Sequence, residues 1–174
     1  MACDAFDRDE PRDAFLLIEA GKASRVKNDE AGRIFRAIVS MYQRWAKKRR
    51  MRHELLTESD RDASRALLAV SGFGAHAILA GEAGLHVWEI PSTTREFIRY
   101  QVRVRVAPQA DEPLYSNLSQ LEQAERIFAD MDVGRLRITR RYREEPSPLV
   151  RDNSRGGRSG RLDCVLDGDF DLIT

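Results

Sequence analysis

The sequence predicts an α+β fold: a mostly antiparallel sheet with packed helices, formed as one unit by residues 13–174. Three observations predict it. From Phe97 to Val106, Ile98, Tyr100, Val102, Val104 and Val106 alternate with Arg99, Gln101, Arg103 and Arg105, the period of a strand with one core face and one basic face. Ile34, Ile38, Met41, Tyr42 and Trp45 recur at helical spacing and put one apolar stripe against a core. Strand and helix patterns follow one another without the regular alternation that a parallel, doubly wound sheet requires.

Each element follows from its residues. Residues 1–12 are charged and read as a flexible lead-in. Ala14-Phe15-Leu16-Leu17-Ile18 is an apolar run, hence a buried strand. Lys22–Asn28 is polar loop. Asp29 caps a helix that runs to about Arg49 and closes on Lys47-Lys48-Arg49-Arg50, cations where the helix dipole favours them. Met51–Glu58 and Ser64–Val70 read as strands, Ser71-Gly72-Phe73-Gly74 as a turn, and Ala75–Gly81 as a short helix. Leu85–Ile90 is a strand stopped by Pro91. After the strand at 97–106, Pro108–Pro113 is a linker. Leu118, Leu121, Ala124, Phe128 and Met131 mark a second amphipathic helix, capped by Ser116 or Asn117. Leu136, Ile138 and Tyr142 alternate with Arg135, Arg137 and Arg141 in another strand with a basic face. Glu144–Gly160 is rich in Pro, Gly, Ser and Arg and reads as loop. The tail from Arg161 regains Leu162, Val165, Leu166, Phe170 and Ile173.

Composition narrows the function. Lys plus Arg is 29 against 28 Asp plus Glu, so bulk charge does not announce a nucleic-acid binder; the distribution of charge must carry any such case. No apolar run approaches the roughly 20 residues of a membrane helix, and the first residues lack a signal peptide's apolar core. No membrane partner is expected. Cys3 and Cys164 lie near opposite ends and read as reduced thiols in a cytoplasm. There is no Ser-His-Asp order, phosphate-binding Gly loop or carboxylate cluster at ligand spacing. No catalytic residue, metal, cofactor or small-molecule substrate is therefore expected.

Four blocks carry a resemblance: Asp13 to Gly21; Asn28-Asp29-Glu30-Ala31 with Met41 to Arg49; Val70 to His76 followed by Glu82-Ala83-Gly84-Leu85-His86-Val87; and Arg161 to Asp171, with its Leu-Asp-Gly-Asp. In this order they resemble the central domain of class I bacterial peptide chain release factors. The resemblance implies a sheet domain that docks in the ribosome's decoding region. In that family a separate Gly-Gly-Gln domain interrupts the sheet domain, and the last segment returns to complete it. Here residues 109–134 take the place of that insertion with only one helix, and no Gly-Gly-Gln occurs in the sequence. Gly156-Gly157-Arg158 does not substitute for it. The family's N-terminal helical domain has no counterpart before residue 13.

The resemblance also implies a site. Pro91-Ser92-Thr93 stands where one branch of the family carries its codon-reading Pro-x-Thr. A stiffened loop presenting a hydroxyl suits a base edge, although the same residues are ordinary turn composition after a strand. The family's following Gly-Arg-x-His-Thr-Ser is replaced by Arg95 to Tyr100, and alternation points Tyr100 into the core. His86 matches a family His and reads as a satisfied structural side chain. Arg99, Arg103 and Arg105, with Arg135, Arg137 and Arg141, form a phosphate-binding patch if their strands are neighbours. The other reading is a solvated face balanced by acids such as Glu54 and Glu58. The run Lys47–Arg50 with Arg52 is a second possible phosphate contact, or simply a basic helix end. Asp167, Asp169 and Asp171 read as a solvated acidic tail.

Three functions compete. The first is a ribosome-binding protein of translation termination or rescue, contacting rRNA or mRNA without hydrolysing peptidyl-tRNA. The second is a protein-interaction adaptor that reuses the fold, as a domain or partner of a larger ATPase or rescue assembly. The third is one half of an enzyme whose Gly-Gly-Gln domain comes from a partner.

Overall fold

The computed structural model describes residues 13–21, 26–59, 65–93, 96–109, 118–132, 134 and 136–173. The expectations for residues 1–12, Ser116, Asn117 and Arg135 lie outside them. Among the described residues eight strands form one sheet: β1 (Ala14–Ala20), β2 (Arg52–Ser59), β3 (Arg65–Ser71), β4 (Gly84–Pro91), β5 (Phe97–Pro108), β6 (Ile138–Arg143), β7 (Leu149–Asp152) and β8 (Arg158–Ser159). Their order is β2-β3-β1-β5-β4-β6-β7-β8. Every pairing is antiparallel except β4 with β6. Among the described residues four helices accompany it: α1 (Asn28–Lys48), α2 (Ala75–Leu79), α3 (Gln120–Asp130) and the short α4 (Leu162–Cys164). A 3-10 turn at Ala80–Glu82 continues α2, and irregular turns follow α4 to Leu172.

The sheet has a core on each face. On the first face α1 lays Ile34, Phe35, Ile38, Met41, Tyr42 and Trp45 against Leu16, Leu68, Val102 and Val104. At about 1.5–3 kcal/mol for each fully buried large apolar side chain, this stripe holds the helix in place. On the second face α3 covers Phe15, Leu17, Leu67, Ala69 and Ala107 with Ala124 and Phe128. That explains why β1 and β3 read as unbroken apolar runs: both of their faces are buried. Beyond the reach of α3, β5 keeps its alternation, and Tyr100 points into the first core at 3% exposure.

The chain after Arg140 does fold back beside the earlier strands. β6 lies along β4, and β7 and β8 extend the sheet within residues expected to be loop. These strands are too short for a two-residue period to show. The acidic tail is also not merely solvated. Lys48 Nζ lies 2.7 Å from Asp167 and 2.9 Å from Asp169, and Arg49 Nη2 lies 2.7 Å from Asp171. The basic end of α1 is thus held by the tail. Gly168 has φ 102°, and a Cβ there would meet the backbone N of Trp45 at 2.5 Å, so the position calls for glycine on both counts. The Leu-Asp-Gly-Asp word is the price of this close approach. Phe170 then packs edge-on to Tyr42, with ring centroids 5.4 Å apart.

Candidate nucleic-acid interface

The β4–β5 hairpin presents Pro91-Ser92-Thr93. Pro91 pairs with Phe97 at the end of the ladder, and the Ser92 N–H donates to the Glu96 carbonyl at 2.9 Å, closing the loop. Pro91 and Thr93 are exposed and Ser92 is half-buried. Pro91, Ser92, Glu96 and Phe97 line an open cavity of about 290 Å³, together with Glu145 and Pro146 from the β6–β7 connection. The Arg143 guanidinium lies over the Phe97 ring at 5.7 Å. The loop therefore has an apolar floor with two carboxylates at its edge.

The arginines divide by the cover above them. β5 and β6 are not neighbours, because β4 lies between them. Arg99 is exposed, with Nε 3.8 Å from Glu89. Arg141 Nη1 is 3.7 Å from the same carboxylate oxygen. Arg103 is half-buried, its cross-strand neighbour on β1 being Glu19. Arg105 is held under α3: Nη1 donates to the Phe128 carbonyl at 3.0 Å, Nη2 lies 3.3 Å from Glu19, and the guanidinium sits 5.4 Å from the Phe128 ring centroid. Its work is to hold α3 down. Arg137 is exposed just before β6. The β4–β6 register shifts between Ile138 and Arg140, so alternation does not carry from Arg141 back to Arg137. The acids that face these arginines are Glu19 and Glu89; Glu54 and Glu58 lie on β2, at the far edge of the sheet.

Arg151 on β7 and Arg158 on β8 were not among the expected site residues. Both are exposed, and they continue the row from Arg141: Arg141 pairs with Arg151, and Arg151 with Arg158. The signal for them was Arg-rich composition in a stretch that reads as loop, and without strand pairing no face could be assigned.

A second polar cluster lies on the other face and is closed to ligands. Arg140 is fully buried; its Nη2 donates to Glu82 at 2.8 Å and to Asp152 at 2.6 Å. Arg155 Nη1 donates to Glu82 at 2.7 Å and also reaches Asp152. The Tyr42 hydroxyl donates to Glu82 at 3.1 Å. His86, also fully buried, lies 3.0 Å from the Glu82 carbonyl through Nε2 and 2.8 Å from the Tyr142 hydroxyl through Nδ1. The consistent tautomer carries its proton on Nε2 and accepts from Tyr142. Burial pushes the His86 pKa down to about 4. Burial works to raise Glu82 and Asp152, but Arg140 together with the other donors around them, Arg155 at Glu82 and Ser154 and the Arg155 N–H at Asp152, outweighs it, and both carboxyls stay below their ordinary range, Asp152 at about 2. The cluster joins α1, β4, β6 and β7, which explains the Glu-x-Gly-x-His word as a structural requirement. The alternation of Arg140 with Tyr142 was its sequence signal. Among the described residues no group of His, Cys, Asp or Glu is placed to hold a metal ion, and no helix is long and apolar enough to cross a membrane.

A family model, the PCRF domain, matches residues 5–98. Among solved structures, RF2 of Thermus thermophilus matches with a TM-score of 0.70 and 19% identity, over 94% of this chain. At that identity the likeness shows the fold. This chain spans 66% of the length of that one.

Proposed function

This chain belongs to the PCRF-domain family of peptide chain release factors, and on that premise we propose that it is a noncatalytic member that docks on the ribosome in translation termination or rescue. The observation that supports this best is the β4–β5 hairpin, which presents the exposed Pro91 and Thr93 beside a cavity floored by Phe97. A proline-stiffened loop with a hydroxyl and an apolar floor suits an unstacked base, the form in which RNA sequence is usually read. The family's Gly-Gly-Gln occurs nowhere in this sequence. By this reading residues 109–134 replace the hydrolytic domain, and their helix α3 is fastened to the sheet instead of carrying a reactive loop. The protein then acts in the cytoplasm, on rRNA or mRNA, without a cofactor or small-molecule substrate.

The test is sedimentation with ribosomes through a cushion, alongside a peptide-release assay on stop-codon-programmed ribosomes. The chain is expected to co-sediment at low salt, to lose at least about tenfold in affinity in Pro91→Ala/Thr93→Ala, and to release no peptide. Release by the chain alone overturns the noncatalytic reading. Absence from the ribosome pellet at low salt favours the adaptor reading. One observation already leans that way: Arg105 is taken up beneath α3, so the basic face of β5 is only partly open.

A further inference from the structure

Several cations of the described residues are matched locally by carboxylates. Arg33 meets Glu30 and Glu144, Lys48 meets Asp167 and Asp169, and Arg65 meets Glu125. The outer half of the second sheet face departs from this. Arg141, Arg151 and Arg158 are direct cross-strand neighbours on β6, β7 and β8. Side chains so placed stand about 5 Å apart at Cβ, and like charges directly opposed destabilise a sheet. Among the described residues no carboxylate lies within ion-pair distance of Arg151 or Arg158, and Arg141 shares Glu89 with Arg99 at 3.7 and 3.8 Å. Folding alone gives no reason to align three guanidinium groups with so little compensation.

We propose that Arg141, Arg151 and Arg158 form a binding row for the phosphodiester backbone of single-stranded RNA. The row spans two strand intervals, about 10 Å, and its planar donor forks match phosphate oxygens. An acidic peptide fits less well. The row runs across the outer strands of the sheet face to the edge strand β8, which has only 2 residues, too few to add a peptide by backbone pairing. The inference rests on the proposed RNA-reading role of the hairpin and extends it. Arg141 lies beside Val87 on β4, and Pro91 is four residues further along that strand, about 13 Å at the rise of a strand. Glu96 and Glu145 at the cavity repel phosphates, so the backbone is held to the arginine row. A base that enters the cavity meets carboxylates able to accept from its exocyclic amine.

The experiment measures binding of the full chain to a fluorescein-labelled, unstructured RNA 12-mer by anisotropy across a KCl series, with ribosome sedimentation in parallel. Arg151→Glu/Arg158→Glu is expected to weaken RNA binding at least tenfold and to lower the log–log salt slope by about 1.4, at about 0.7 for each single-strand phosphate left unneutralised. Lys27→Glu, a reversal at an exposed residue away from the row, is expected to leave the slope unchanged. Arg151→Gln/Arg158→Gln removes the opposed charges, should melt no lower than the parent, and carries the test if the reversal misfolds. Parent-like RNA binding by both double variants overturns the row. If ribosome binding still depends on Pro91 and Thr93 in that case, the hairpin reading survives; if the parent binds neither RNA nor ribosomes, both fall. Equal affinity for a poly-glutamate of the same length overturns RNA in favour of an acidic protein partner.

Discussion

His86 has no space for a second proton's solvation. It is fully buried, and its two nitrogens are taken by the Glu82 carbonyl and the Tyr142 hydroxyl. Its pKa falls from 6.5 to about 4, so between those values the unfolded chain binds the proton that the folded chain refuses. Stability contributed by the neutral ring is therefore intact above pH 6.5 and is lost as the pH falls through about 4. The loss approaches about 3 kcal/mol, at 1.36 kcal/mol per pH unit. Urea midpoints from pH 7 to pH 4 should trace it, and His86→Asn should flatten that slope while lowering stability throughout. An unchanged slope in the variant would assign the dependence to other groups. Asp152, held down to about 2, adds its own loss only at lower pH. Arg140→Met tests the partner charge: it leaves Glu82 and Asp152 with Arg155 alone and should cost about 3–5 kcal/mol in urea denaturation. A loss under 1 kcal/mol would mean that the cluster relaxes or takes in water.

At the scale of elements, two attachments decide whether the helices stay on the sheet. The tail is attached to α1 through Gly168, whose positive φ and contact with the Trp45 backbone leave no room for a side chain. Gly168→Ala should lower stability by more than about 2 kcal/mol, combining left-handed strain with a backbone clash; an ordinary melting temperature would refute the close approach. α3 is attached by Phe128 and Arg105 and begun by Ser119, whose hydroxyl accepts from the Glu122 N–H while Glu122 reaches back to the Ser119 N–H. Ser119→Ala should cost about 1 kcal/mol, read as a lower urea midpoint. The Ser-x-x-Glu word of this box is present in the sequence, but the apolar stripe that reaches back to Leu118 points to a cap at Ser116 or Asn117, whereas the helix begins after Ser119. β7 and β8 were not legible, since strands of 4 and 2 residues carry too little period to show.

For the whole molecule, the sheet runs unbroken from β2 to β8, and both cores are built on it. Unfolding should accordingly be one transition. Trp45 reports the α1–tail contact and Trp88 the β4 region, so fluorescence of single-tryptophan variants and far-UV circular dichroism should share one urea midpoint. Separated midpoints would show two folding units. The α+β class, α1, the β5 alternation and the inward Tyr100 were determined by the sequence alone, because burial imposes a period that each segment displays by itself. The words that carry the family resemblance were equally local. Only the tertiary structure decided which charges are free. Arg105 and Arg151 are the same residue type in similar strand patterns, but α3 covers one and leaves the other in water. Solvation and pairing of a charge depend on neighbours distant in the chain, and no local period records them.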